Sequence, residues 1–346
     1  MTNFVFKILD FPENVQRGVL RSMKYSELVI FSIISTKTKN IVQSLNVKAL
    51  SLLLVVYDSL EFKVNFSNGT SLKLVFTDPR QEEQPQSPWP LIHEPQNLSI
   101  IYRTAGIEHE ETIRCQNPGY GFKKLVDHLK SIFQFSRPSM LVFHNRELIK
   151  VEDVWETFWD LLDYVVVNHL INDAFAQRVL EACISKTRKL ILLRQTPLNG
   201  AISMALQNLD VLTSNRIRDL DDLLLCNSSG ILTVATRFSF NLVNRFLRSW
   251  ARGSNRRLEF IDLPLSGDVA PEMSLALKGL TYRNVAEGKV RRVSENVRGS
   301  MSLIPADMRV EEVRGGTEIR NKFGIVATVR LVHGEMYNAI QMFVWH

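Results

Sequence analysis

Apolar residues follow two regimes along this chain. Between Phe11 and Val42 they recur at helical spacing, and from Leu50 onward they first alternate with polar residues and then gather in short runs. Pro12 suits the first turn of a helix, where its missing N–H would have no partner anyway. Val15, Val19, Leu20 and Met23 then form one apolar stripe. Lys24-Tyr25 closes that helix, and Ser26 is read as the N-cap of the next. In the second helix Leu28, Val29, Ile30, Phe31, Ile33 and Ile34 are apolar on nearly every side. A third segment sets Ser35, Lys37 and Lys39 on one side and Ile41 and Val42 on the other. A module of fewer than ~40 residues has too little core to fold alone. The surplus apolar surface needs a cover, either the rest of the chain or a partner with a helical groove. The pattern leaves both open.

Leu50 to Val56 reads as a buried strand, and Leu60, Phe62, Val64 and Phe66 alternate strictly with polar residues. Asn68-Gly69 is a hairpin turn signal, and Leu72, Leu74 and Phe76 alternate on its far side. Asp78 to Pro95 carries Pro79, Pro85, Pro88, Pro90 and Pro95 and is read as a linker loop, although Pro85 to Pro88 has PxxP spacing. Ile100–Arg103 and Thr112–Cys115 read as further strands. From Gly119 the pattern becomes alternating helix and strand. Helices are expected around Phe122–Phe133, Val151–Leu162, Ala174–Ile184, Ala201–Leu206, Leu220–Leu225 and Phe240–Trp250. Strands are expected at Met140–Phe143, Tyr164–Val167, Leu190–Leu193, Leu209–Leu212, Ile231–Val234 and Leu258–Ile261. Strand starts roughly 19–27 residues apart match the period of an irregular leucine-rich-repeat-like α/β array. No repeat carries a clean Leu-x-x-Leu-x-Leu-x-x-Asn, and an ordinary α/β sheet with right-handed crossovers is the alternative. From Met273 strand patterns return, at Gly279–Val285, Val290–Val293, Ile325–Val332 and Ala339–Val344, as a C-terminal β cap. The expected fold class is therefore α+β with an α/β repeat. Its segments are helices over 5–46, a β-rich connection over 47–118 with the Pro-rich loop at 78–97, the repeat over 119–265 and the cap over 266–346.

Composition changes this picture little. The 346 residues exceed one average domain, and 45% hydrophobic with 23% charged residues is ordinary for a globular chain. Cys115, Cys183 and Cys226 are far apart and odd in number, so they are expected to be reduced core residues of an intracellular protein. The N-terminus has no signal-peptide pattern, and the most apolar run, Ala49 to Tyr57, is far below the ~20 residues of a membrane span. A cytoplasmic or nuclear location without membrane contact is expected. The sequons at Asn65, Asn68, Asn97 and Asn227 would then be unused.

Candidate chemistry is sparse. The histidines at 93, 109, 128, 144, 169, 333 and 346 form no close pair, and neither His-Glu-x-x-His nor Cys-x-x-Cys occurs, so no metal site is expected. No Gly-x-Ser-x-Gly elbow is present. Gly119-Tyr120-Gly121-Phe122-Lys123-Lys124 lacks the Gly-Lys-Ser/Thr of a phosphate loop and reads as a helix start. Asp221-Asp222 and Glu311-Glu312 are sequence neighbours that point to different sides, a poor acid–base arrangement. No catalytic residue and no cofactor is assigned. Arg245, Arg248 and Arg252 share one helix face, and Arg256 and Arg257 follow its end. They either complement the helix dipole or present a surface to an anionic partner. Nucleic acid is the least favoured such partner, because no aromatic-interleaved motif accompanies them. Trp250 falls on the apolar side with Leu242, Phe246 and Leu247.

Phe11-Pro12, Val19-Leu20-x-x-Met23, Glu27-Leu28, Phe31-Ser32 and Ser35-x-Lys37-x-Lys39 resemble an F-box over roughly Phe6 to Leu45, with Phe11 where the family usually has Leu. The resemblance implies a three-helix module that binds the Skp-type adaptor of an SCF ubiquitin ligase, and through it a cullin. Phe11, Pro12, Leu20, Leu28, Phe31 and Ile34 are the candidate adaptor contacts. A second set also carries a resemblance: Leu220-x-x-Leu223-Leu224, Asn227, Asn244-Arg245-Phe246-Leu247-Arg248-Ser249-Trp250, Gly253-Ser254-Asn255 and Leu258-Glu259. Gly315-Gly316, Ile319-Arg320-x-Lys322-x-Gly324, Ala327-Thr328-Val329 and Phe343-x-Trp345 continue it. Together they are similar to the type-2 F-box-associated domain of the expanded nematode F-box families, which usually have Asp where this chain has Phe323. The pair of resemblances implies a non-catalytic substrate receptor that holds an unidentified target protein through the C-terminal domain, with Arg245, Arg248, Arg252, Arg256 and Arg257 as candidate target contacts. A non-ubiquitylating F-box scaffold is the alternative, and an α/β enzyme the more distant one.

Overall fold

A computed structural model describes residues 8–56, 60–77, 97–103, 110–116, 121–136, 139–144, 151–160, 162–168, 170–193, 209–234, 236–266, 272–301, 304 and 306–346. The proline-rich loop at 78–96, Gly119-Tyr120 and the expected helical turn at 201–206 lie outside the described residues. Contacts divide the chain into two units, residues 1–141 with 146–162, and residues 142–145 with 163–346.

The first unit opens with α1 (Glu13–Ser22), α2 (Tyr25–Ile33) and α3 (Thr36–Ser44). Pro12 is the N-cap of α1, one position earlier than a first-turn proline. The buried Gln16 donates to the carbonyls of Phe11 (2.7 Å) and Leu9 (3.2 Å) and so ties the helix to the turn before it. The expected cap of α2 differs. Glu27 accepts from the Lys24 N–H at 2.8 Å, so the N-cap is Lys24, two residues before Ser26, which is buried inside the helix. A first-turn carboxylate that reaches back to an orphan donor does the work a hydroxyl cap would have done. Ser35 caps α3 reciprocally with Thr38, each accepting from the other's N–H at 3.0–3.2 Å. Leu20, Leu28, Val29 and Val42 are buried.

The chain continues through β1 (Val47–Ala49), β2 (Ser51–Val56), β3 (Leu60–Asn65), β4 (Ser71–Thr77), β5 (Asn97–Arg103), β6 (Glu110–Gln116) and β7 (Phe133–Phe135). Strands β2 to β6 form an antiparallel meander in sequence order, and β1 pairs with β7 in parallel. Asn68-Gly69 makes the expected turn. Gly69 has φ 78°, and Asn68 Oδ1 accepts from the Thr70 N–H at 3.1 Å. Helices α4 (Phe122–Ile132) and α5 (Val151–Phe158) bring Phe122 and Phe158 onto Phe62 of β3, with ring centroids 6.2–6.4 Å apart. By contacts, residues 119–141, expected with the repeat, belong to this first unit.

Strand β8 (Met140–Phe143) lies at the division of the chain. In the second unit β9 (Tyr164–Val167), β10 (Lys189–Leu192), β11 (Val211–Ser214), β12 (Gly230–Thr233) and β13 (Phe260–Pro264) pair in parallel, each with the next in sequence. Nearly every residue of these strands is buried, as a parallel sheet covered on both faces requires. Between them run α6 (Asp173–Cys183), α7 (Leu220–Leu225) and α8 (Phe240–Ala251). Two short helices, α9 (Met273–Ala276) and α10 (Glu295–Met301), accompany β14 (Tyr282–Arg292), β15 (Glu312–Arg320), β16 (Val326–His333) and β17 (Asn338–Trp345). Strand β17 pairs antiparallel with β13, so residues 266–346 extend the sheet of residues 163–265. Strand β14 is the exposed outer strand of this run. Glu318 on β15 pins it by accepting from Arg283, Lys289 and Arg291 at 2.5–2.9 Å.

The coarse plan of N-terminal helices followed by a β-rich region with helices is the observed one. No helix among the described residues is long and apolar enough to cross a membrane.

Candidate interaction surfaces

In the first unit the six candidate adaptor residues separate by burial. Leu20 and Leu28 are buried, at 0% and 2% exposure, and offer next to no surface to a partner. This corrects their expected role to one of support. Phe11 and Pro12 stand exposed before α1, Phe31 is partly exposed in the last turn of α2, and Ile34, just past that helix, is 67% exposed. Desolvated apolar surface is most strongly favoured where it is most exposed, so Ile34 is the residue with most to gain from a cover.

The chain itself covers much of the rest of α2. Tyr25 stacks on Phe66 with ring centroids 3.7 Å apart. Lys24 reaches Glu111 of β6 at 2.6 Å. Ser32 lies 2.7 Å from His128 Nε2 of α4. The Ser32 hydroxyl gives its single proton to the Val29 carbonyl (2.6 Å), so the imidazole Nε2–H must be the donor in that pair. Burial, helped by the charge of Lys39, pulls His128 down to about 4 and holds it neutral.

In the second unit α8 carries the basic stripe. Ser239 caps it by accepting from the Leu242 N–H, and Val243, Phe246, Leu247 and Trp250 bury its inner face. Arg245, Arg248 and Arg252 therefore fall on the outer face, all exposed, with no ion pair among the described residues. Arg257 differs, because it pairs with Asp210 at 3.1 Å, and Asp210 also holds Arg188 at 3.0 Å. The helix ends in a Schellman turn. The Gly253 N–H bonds the Trp250 carbonyl (2.8 Å), the Ser254 N–H bonds that of Ser249 (3.1 Å), and Gly253 has φ 102°.

The turn between β15 and β16 seals that helix end. The Lys322 N–H donates to the Ala251 carbonyl at 2.8 Å. The positive φ of Gly253 disfavours any residue with a Cβ, and a Cβ there would also crowd the Lys322 (2.5 Å) and Phe323 (2.7 Å) side chains. Asn321 Oδ1 accepts from the N–H groups of Phe323 and Ile325, both at 3.0 Å, and fixes the turn. Phe323 is 49% exposed, with the Arg256 guanidinium 4.6 Å and the Lys322 ammonium 5.0 Å from its ring centre.

The Asn residues of this region are structural. Asn255, at φ 47°, donates to the carbonyls of Leu223 (2.9 Å) and Cys226 and closes the end of α7. Asn244 donates to those of Ala276 and Lys278, both at 2.8 Å. Trp250 is buried, as its place on the apolar side implies.

Elsewhere in the second unit a cavity of about 300 Å³ is lined by Phe343, Trp345, Val297, Arg292 and Ser294. Within it the Ser294 hydroxyl donates to Glu259, another residue of the lining, at 3.2 Å. Among the described residues no group of His, Cys, Asp and Glu is arranged to hold a metal ion.

Comparison with known families gives two matches on this chain. Residues 8–50 match the F-box domain and residues 202–263 match a family described as F-box associated. The second match contains α7, α8 and the Asn255 turn and stops within β13. No curated protein and no solved structure gives a significant match. Both matched families are recognition modules, and neither is a family of enzymes. The chain is an F-box protein carrying an F-box-associated domain.

Proposed function

We propose that this protein is the substrate receptor of an SCF-type ubiquitin ligase. The F-box holds a Skp-type adaptor, which joins it to a cullin. The second unit holds a target protein, and a ubiquitin-loaded enzyme meets the target's lysines at raised effective concentration. The observation that carries this reading is the pairing of an F-box with an F-box-associated segment on one chain. Exposed apolar residues at Phe11 and Ile34, beside the partly exposed Phe31, support an adaptor contact drawn from the ends of α1 and α2. The second unit is read as an irregular leucine-rich-repeat-like array with β14 to β17 as its cap. In-order parallel pairing from β9 to β13 supports that reading. The working location is the cytoplasm or nucleus.

Reconstitution tests the proposal. The full chain, mixed with a Skp-type adaptor and cullin, should co-elute as one complex and support ubiquitin transfer to a captured target. Co-elution without transfer to any captured protein would favour a scaffold, and failure to bind the adaptor would overturn the reading.

A further inference from the structure

We propose that the outer face of α8 together with the Phe323 turn is the target-docking surface, and that its ligand is an extended, carboxylate-rich segment of the target protein with an apolar residue that packs on Phe323. This deepens the receptor reading above and rests on it.

Charge gives the first argument. From Phe240 to Leu258 and from Arg320 to Val326 the chain contains no Asp or Glu, while it contributes Arg245, Arg248, Arg252, Arg256, Arg257, Arg320 and Lys322. Among the described residues, Arg257 is the only one of these held by a carboxylate, that of Asp210. Dipole complementation accounts for cations in the last turn of a helix, where the effect is confined. It does not account for Arg245, about two turns before the helix end.

Spacing gives the second. Along α8, Arg245, Arg248 and Arg252 are separated by rises of about 4.5 and 6 Å. Alternate side chains of an extended peptide lie ~6.8 Å apart on one side, so a row of alternating acidic residues can meet successive guanidinium groups. A single phosphate would need donors that converge, and these diverge along one face.

The third argument is the aromatic. Phe323 is large, half-exposed and carried on a turn fixed by Asn321 and the Lys322–Ala251 hydrogen bond. Arg256 and Lys322 flank its ring. An apolar residue of the ligand gains a rigid platform there at little ordering cost, while carboxylates on either side reach the two cations. A lone exposed aromatic is a poor track for successive nucleic-acid bases, which need several stacking platforms.

The test uses the full chain and a labelled short synthetic peptide that alternates glutamate and serine around a central phenylalanine. Binding is expected to weaken with added salt, and at least about tenfold with Arg245→Glu/Arg248→Glu/Arg252→Glu. Phe323→Asp sets a carboxylate between Arg256 and Lys322 and should weaken binding several-fold. Arg218→Glu, an exposed charge reversal outside the patch, should leave it unchanged. Each variant is checked for an unaltered melting temperature. Should the triple reversal lower it, Arg→Gln replacements at the same positions take its place, with the same expected direction. Equal affinity of wild type and charge-altered variants, absence of binding at low salt, or tighter binding of a single-stranded RNA of equal charge would each overturn the proposal. Adaptor binding is measured on the same samples. Its loss with peptide binding intact overturns the F-box reading alone, and the converse overturns the docking surface alone.

Discussion

Ser32 of α2 and His128 of α4 stand 2.7 Å apart in the interior of the first unit, and through them the F-box helices are joined to the helix that follows the meander. His128 is kept neutral by burial, with its proton affinity pulled down to about 4 from the ordinary 6.5. The unfolded chain therefore binds a proton that the folded chain refuses as pH falls from about 6.5 to about 4. Stability of the first unit should be full above that window and drop through it by roughly 3 kcal/mol. Thermal unfolding followed across pH 4–7 checks this, and His128→Gln should flatten the slope. A wild-type curve with no fall on acidification would show that the imidazole takes its proton in place.

Asp262 should act in the opposite direction in the second unit. This buried carboxyl accepts from Gln341 at 2.9 Å and Tyr337 at 3.4 Å, yet burial outweighs both and raises it to about 6 from 3.8. Here the folded chain holds the proton more tightly. Stability contributed by the protonated group is present at the acid end and lost as pH rises from about 4 to about 6, again by roughly 3 kcal/mol. Asp262→Asn should raise the melting temperature at pH 7 and remove that dependence. A lower melting temperature for the variant at pH 7 would mean the ionised form is better solvated than its burial implies.

Asn255 combines a left-handed backbone with two side-chain bonds to carbonyls at the end of α7. Asn255→Ala leaves both carbonyls without that donor and places a Cβ-bearing residue with no compensating polar contact at positive φ. A loss of roughly 2–4 kcal/mol is expected by denaturant unfolding. Asn255→Gly should lose about 1 kcal/mol less, because glycine tolerates the backbone. Equal losses would assign the whole effect to the hydrogen bonds.

Burial separates Leu20 from Ile34 although both lie in the F-box segment. Leu20→Asp sets a charge in the helix core and should cost more than about 4 kcal/mol, enough to unfold the module. Ile34→Asp, at an exposed position, should change stability by less than roughly 0.5 kcal/mol. Far-UV circular dichroism melts distinguish them directly.

Element positions were legible wherever one interaction sets the local pattern. The alternation on either side of Asn68-Gly69 and the apolar runs at Met140–Phe143 and Tyr164–Val167 gave strands at their observed places. Strand β15 went unrecognised because Gly315, Gly316 and the charged Glu318 interrupt its alternation. Glu318 is tolerated inside only because three cations from a strand some 30 residues away converge on it. Ser26 was misread as a cap for a similar reason, since Glu27 supplies the cap from within the helix. Among the adaptor candidates, spacing alone could not separate Leu20 and Leu28, which face inward, from Ile34. The role of Phe323 had no sequence signal beyond its departure from the expected Asp, because the Gly253 contact and the flanking cations come together only through folding.

The central claim is that the F-box face docks a Skp-type adaptor. Its most direct test is the equilibrium affinity of the full chain for that adaptor, compared with the double variant Phe31→Asp/Ile34→Asp at matched thermal stability. The account predicts tight binding by the wild type and a loss of at least about a hundredfold in the variant, the scale of removing two apolar anchors. Undiminished adaptor binding by a folded double variant would contradict it.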